Sequence, residues 1–372
     1  MSDKQFNPAA YTLTAAQAVE KWKNRKAYEE ANAHLALEFP ILGLREYIPP
    51  QLPGETSVIA GRSGEGKSTF LKFWHDQNQL NIQHRMRRAV SVYISHEDTS
   101  EMSAGQLVER YGSEVSVEDN LSIYIGRSFG MSASDIADLH MTNIAQCLMY
   151  AQNKQFAEKM DFSAIFYDYI QTTPPDPFRR QMRTDDSRRL QLADDVRRLT
   201  IAATTFACPV VAASQTSLKR LIKPYNDKMF IPGKQDLEEA KEVFQTPDIV
   251  YSMWQVAADY PPGTQIETGH WNFKSQSDLF FIWFLKRRYK TPKTAPGIRR
   301  VFPIFINQNG TFFTEAALCK ISPNTGTASG EANPKSASRD WRNLFQKEKN
   351  MTLEEGIAVI IVAFIALILA EL

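Results

Sequence analysis

The sequence predicts an α/β fold, a mostly parallel, twisted central sheet with antiparallel strands added at one edge. Three observations carry that expectation. Between about Phe39 and Ala317, short apolar, β-rich runs alternate with polar or amphipathic stretches. The first five runs (SVIAG, AVSVYIS, LSIYIG, SAIFYDYI and CPVVAAS) are divided largely by helix-like segments at 68–80, 134–160 and 186–207. Nearly continuous apolar strands separated by helices indicate a parallel sheet buried on both faces. The last three runs (DIVYSMW, LFFIWFLK and VFPIFIN) leave less room for helices, which predicts antiparallel additions.

Composition narrows the function classes. Of the 372 residues, 43% are apolar and 23% charged, which excludes wholesale disorder. Lysine plus arginine (43) nearly cancels aspartate plus glutamate (42), so any nucleic-acid site must be a local concentration of charge. Cys147, Cys208 and Cys319 are far apart and odd in number, which excludes a disulfide framework and fits a reducing cytoplasm. The histidines show no H-E-x-x-H spacing, and the polar N-terminus MSDKQFNPAAYTLT has no secretory apolar core. The expected organisation is an N-terminal arm with a helix (1–38), an α/β domain (39–317), a Ser/Gly/Pro-rich linker (318–355) and an apolar C-terminal segment (356–372).

The sharpest local signal is Gly61-Arg62-Ser63-Gly64-Glu65-Gly66-Lys67-Ser68-Thr69, matching G-x-x-x-x-G-K-[ST]. A chain that wraps a phosphate must aim consecutive backbone N–H groups inward, in dihedrals that glycine adopts without a Cβ clash. The loop follows the strand-like run Ser57–Ala60 and precedes a helical stretch whose positive dipole end faces the same anion. Lys67 is expected on the β- and γ-phosphates, and Ser68 and Asp168 on Mg2+. Asp168 ends the run Ala164–Tyr167, at the carboxyl edge where such sheets bind ligands. Glu97, at the tip of Val92–His96, is a candidate base for polarising water, with Asp98 as the alternative. Gln215 closes a third strand, where an amide can sense the γ-phosphate.

Together these positions resemble the hexameric replicative helicases of the DnaB type, within the RecA-like ATPases, from about Phe39 to Phe313. The likeness runs through Gly43-Leu44 and Leu52-Pro53-Gly54-Glu55 ahead of the loop, Ser95-His96-Glu97, and Met102-Ser103-Ala104-Gly105-Gln106-Leu107. It continues in Asp168-Tyr169-Ile170-Gln171, in Pro209-Val210-Val211 with Ser214-Gln215, and in Asp236-Leu237-Glu238-Glu239 before Asp248-Ile249-Val250. Lys286-Arg287-Arg288 is similar to the family's K-x-R. The resemblance implies that Lys286 and Arg288 reach a neighbouring subunit's ATP, completing the catalytic set of Glu97, Lys67, Asp168 and Gln215. It departs in three places. The N-terminal helical domain has no counterpart, Tyr289–Pro296 is an insert, and the stretch from Gln215 to Asp236 is long. Bare-motor helicases of plasmids and phages, including the RepA-like group, fit as well or better.

The resemblance thus implies an ATP hydrolase that uses Mg2+, forms a homo-oligomeric ring of about six subunits in the cytoplasm, and moves on single-stranded DNA to separate duplex. A RecA-fold assembly or recombinase-like ATPase, and a membrane-tethered nucleotide-binding scaffold, are the alternatives. Two basic stretches follow nucleotide-linked strands: 172–189, with Arg179, Arg180, Arg183, Arg188 and Arg189, and 217–234, with Lys219, Arg220, Lys223, Lys228 and Lys234. Such charges pair with successive phosphates without reading sequence. Gly356–Ala370 is apolar throughout, and as a helix would span about 22 Å. That is short for a membrane core of about 30 Å. A marginal membrane anchor, an interface buried against a partner, and a segment without function all remain open.

Overall fold

A computed structural model describes residues 14–321, interrupted at 28–34, 85–88, 112–121, 155–160, 175–184, 216–242, 288–298, 315–318 and a few shorter gaps. The apolar tail, the linker beyond residue 321, Arg288 and the basic residues Arg179, Arg180, Arg183, Lys219, Arg220, Lys223, Lys228 and Lys234 lie outside the described residues. Described positions between 15 and 27 are helical, as expected for the arm.

In chain order the elements are β1 (Thr56–Gly61), α1 (Lys67–His84), β2 (Ala89–Thr99), α2 (Ser100–Tyr111), β3 (Ser122–Arg127), α3 (Ala133–Ala137) and α4 (Met141–Lys154). Then come β4 (Asp161–Asp168), a 3-10 turn (Ile170–Thr172), α5 (Asp185–Thr205), β5 (Val210–Gln215) and β6 (Ile249–Gln255). The last elements are the hairpin β7 (Gln265–Thr268) and β8 (Trp271–Lys274), then β9 (Leu279–Arg287), β10 (Arg299–Ile306), β11 (Phe312–Phe313) and β12 (Cys319–Ile321).

The main sheet runs β11-β10-β9-β6-β1-β5-β4-β2-β3, with β12 also on β10. The first five strands are parallel and β9 and β10 are antiparallel, as the sequence predicts. One strand departs. DIVYSMW, expected among the antiparallel additions, forms β6 and pairs parallel to β1, from Ser57↔Ile249 to Ala60↔Ser252. The connection 216–248 is long enough for the crossover that parallel pairing requires, and the direction reverses only at β9. The helix expected over 134–160 is also divided. Ser132 and Asp135 form a reciprocal capping box on the short α3, and a fresh helix starts at Met141, with the Asn143 amide donating to the Asp138 carbonyl at 2.7 Å.

Apolar alternation along β1 explains the layering. Ile59 packs on one face with Phe70, Phe73 and Trp74 of α1, while Val58 and Ala60 pack on the other with Ile144 and Leu148 of α4 and Val196 and Leu199 of α5. Phe70, Phe73 and Trp74 fall at i, i+3 and i+4, one buried stripe of α1. Leu37 and Phe39 join that core, and Trp74 donates its indole N–H to the Glu38 carbonyl at 2.8 Å. The register sets Gly61 beside Gln215 and Ser95 beside Asp168, so the carboxyl ends of β1, β2, β4 and β5 share one edge.

Candidate nucleotide and metal site

The glycine-rich loop folds between β1 and α1 as its sequence demands. Gly64 and Gly66 have φ of +78° and +71°, left-handed values that strain any residue with a side chain. Gly61 is constrained differently: a Cβ there would lie 2.8 Å from the Met253 carbonyl oxygen of β6. Ser63 and Gly64 are exposed at the tip, and the Phe70 N–H bonds the Gly66 carbonyl at 2.8 Å, which starts the helix with Lys67, Ser68 and Thr69 in its first turn.

Charges around the loop are tied into it. The Glu65 carboxylate is buried and accepts from the Arg62 side chain at 2.7 Å, while the Arg62 guanidinium also donates to Asp259 at 2.8 Å. Burial pushes the Glu65 carboxyl up, and Arg62 beside it pulls back. The Lys67 ammonium donates to the Arg62 carbonyl; burial pulls it below the usual lysine range, opposed by the negative charges of Glu65, Asp168 and Glu97. The lysine therefore sits where acidic groups and the loop converge.

Across from the loop, Asp168 is 1% exposed. Its Oδ1 accepts from the Ser68 hydroxyl at 2.9 Å and its Oδ2 from the Tyr93 hydroxyl at 2.9 Å. Burial raises this carboxyl, while the two hydroxyl donors and the Lys72 charge hold it down. A hydroxyl and a carboxylate meeting at one point are hard oxygen donors of the kind Mg2+ takes, with phosphates and waters completing its octahedron. Ser68 and Asp168 fit that ion.

Glu97 is exposed at the end of β2; burial, then the nearby Glu97 charge, raises the Tyr169 hydroxyl. Its carbonyl accepts from Arg127 at the end of β3. The neighbouring Asp98 is committed elsewhere: Lys72 bridges it to Gln106, whose Oε1 accepts at 2.7 Å. Of the two carboxylates considered as base, Glu97 is the one whose charge acts on Lys67.

Gln215 is also where the sequence puts it, but what grips it was missed. The Gln171 side chain accepts from the Gln215 N–H at 2.9 Å and donates to the Gln215 carbonyl at 2.7 Å and the Ser214 hydroxyl at 2.8 Å. The 3-10 turn after Asp168 thereby holds the end of β5. Gln171 stands within the quoted Asp168-Tyr169-Ile170-Gln171, and its place one turn beyond the Asp168 carboxylate was the available signal.

At the antiparallel edge, Lys286 donates to the backbone carbonyls of Gln245 at 2.8 Å and Pro247 at 2.7 Å. Arg287 points to the opposite face, as strand alternation requires. It is buried, donating to the carbonyls of Pro49 at 3.2 Å and Pro50 at 3.0 Å and to Glu55 at 3.3 Å. The middle residue of Lys286-Arg287-Arg288 is therefore structural.

Comparison with known proteins agrees with this layout. A search of curated proteins finds no match. Among solved structures, the ATPase domain of G40-P shares 17% identity over 71% of this chain and 85% of its own, at a TM-score of 0.50, a likeness of fold. A DnaB-like replicative helicase, solved in a study of its interactions with primase, shares 18% identity over 70% of this chain and 57% of its own, at a TM-score of 0.49. The model of the DnaB-like helicase C-terminal domain matches residues 50–265, from just ahead of β1 into β7 and so through the ends of β1, β2, β4 and β5. The chain belongs to the DnaB-like helicase C-terminal domain family.

Proposed function

We propose that this chain is an ATP-driven DNA helicase motor, a ring of six identical subunits that moves along single-stranded DNA and separates duplex. The observation that carries the reading is the meeting of Ser68 with Asp168 at 2.9 Å beside Lys67, with Glu97 on the same sheet edge. Lys67 and the loop N–H groups hold the phosphates, and Ser68 and Asp168 hold Mg2+, which neutralises phosphate charge when bound. Glu97 takes the proton of the attacking water. Gln215, held by Gln171, senses the γ-phosphate, so its loss is passed to the turn after Asp168.

Arg288 and Lys286 complete the site of the adjacent subunit, a contribution worth about 10³–10⁵ in rate for an arginine of this kind. For Lys286 this requires exchanging its two carbonyl partners for phosphate oxygens. The basic stretches 172–189 and 217–234 line the DNA path, the protein acts in the cytoplasm, and segment 356–370 contacts a membrane or a partner protein.

Steady-state ATP turnover with and without single-stranded oligonucleotide, together with strand displacement on a forked duplex, tests the reading. DNA-stimulated turnover and ATP-dependent displacement are expected. Turnover indifferent to DNA would replace the reading with an assembly or remodelling ATPase, and nucleotide binding without turnover would replace it with a scaffold.

A further inference from the structure

The metal carboxylate has a second donor that the phosphate-binding motif does not supply. Asp168 and Tyr93 are each 1% exposed, so neither group exchanges its partner for solvent. A buried carboxylate needs donors at both oxygens. Ser68 serves Oδ1 from α1, and Tyr93 serves Oδ2 from the adjacent strand β2. With one oxygen held from each side, the carboxylate cannot turn about its Cβ–Cγ bond without breaking a bond.

Tyr93 is itself braced. His75 meets its ring edge-on at 5.4 Å and 67°, and Tyr124 of β3 lies at 6.3 Å. His75 stands seven residues after Ser68, two turns along the same face of α1. One helix face therefore carries both the hydroxyl that meets Asp168 directly and the ring that steadies its other donor. Lys72, midway between them, adds a positive charge that favours the ionised Asp168.

We propose that Tyr93 is a positioning residue for the metal site: its buried hydroxyl fixes Asp168 so that Oδ1 stays against Ser68, ready for the nucleotide's Mg2+. This rests on the reading of Ser68 and Asp168 as the metal-holding pair. Tyr93 touches neither phosphate nor metal and acts only through Asp168.

Tyr93→Phe in the full chain removes the hydroxyl and keeps the ring packing. Binding of a fluorescent ATP analogue is measured by Mg2+ titration and again in excess chelator, beside Asp168→Asn and the parent protein. The expected result is a half-saturating Mg2+ concentration raised roughly tenfold in Tyr93→Phe, the scale at which outer partners tune metal sites, with chelator-phase affinity unchanged. An unchanged Mg2+ requirement in Tyr93→Phe, with a raised one in Asp168→Asn, would overturn the role of Tyr93. Equal loss of binding with and without Mg2+ in Tyr93→Phe would also overturn it, since the hydroxyl would then serve only the fold. If Asp168→Asn itself leaves the Mg2+ requirement unchanged, the reading of the metal pair fails instead, and the proposal with it.

Discussion

The two sides of β1 treat their charged residues differently. On the β5-β4-β2 side, side chains bond one another: Ser68 and Tyr93 on Asp168, Lys72 on Asp98 and Gln106. On the β6-β9 side, the cations of β9 end mainly on backbone carbonyls: Lys286 on Gln245 and Pro247, Arg287 on Pro49 and Pro50 beside its ion pair with Glu55. Side-chain networks can exchange partners for an incoming charged group. Arg287, its side chain buried against two carbonyls and Glu55, acts as a strut. Substitutions should thus cost rate on the first side and, at Arg287, stability on the second.

The largest expected effect is at Glu97. Glu97→Gln should lower ATP turnover by about 10²–10⁴ while leaving nucleotide binding intact, since the amide keeps the shape and loses the base. Turnover assays paired with fluorescent-nucleotide titration check this, and unchanged turnover would move the base elsewhere. Next comes Arg287→Met, which leaves the Glu55 carboxylate buried without its cation. Breaking such a pair costs about 3–5 kcal/mol, read as a lower midpoint in denaturant unfolding. A loss in ATP affinity with no loss of stability would contradict the division.

A third test concerns His96, buried beside Glu97, with its Nε2 within 2.9 Å of the Tyr167 hydroxyl. Burial, then the nearby Arg127 charge, lowers it to about 4. The unfolded chain binds a proton near the ordinary histidine value of about 6.5, before the folded one does. The stabilising contribution is full above that value and is lost as pH falls toward about 4, a total of about 3 kcal/mol. His96→Gln should flatten that limb of a stability-versus-pH curve; an identical slope would mean that His96 titrates normally. A comparable effect is expected at Gln171. Gln171→Ala removes three hydrogen bonds at about 1 kcal/mol each and should also weaken the dependence of turnover on DNA, which a strut would leave unchanged.

Much of this site was legible in the residues because the chemistry leaves few choices. A loop that must aim N–H groups at phosphate writes its glycines into the sequence, and Asp168, Glu97 and Gln215 each close an apolar run. What was not legible depends on pairing between strands. That β6 would lie parallel to β1 is a matter of strand pairing, which DIVYSMW itself does not state. That Tyr93 would meet Asp168 depends on β2 lying beside β4, and tyrosine in an apolar strand reads as core. Arg287 was hidden for the opposite reason: flanked by Lys286 and Arg288, it looked like part of one charged cluster, although alternation sends it to the other face.

The most direct test of a motor whose neighbouring copies share each catalytic pocket is a mixing experiment. Lys67→Ala subunits, lacking the lysine proposed for the phosphates, are combined with Arg288→Ala subunits, lacking the arginine proposed for the neighbour's pocket, and DNA-stimulated ATP turnover is followed across mixing ratios. Shared pockets predict that the mixture exceeds the summed activity of the two variants alone, because some interfaces join an intact Lys67 to an intact Arg288. A mixture that never rises above that sum, while the variants demonstrably assemble together, would contradict it.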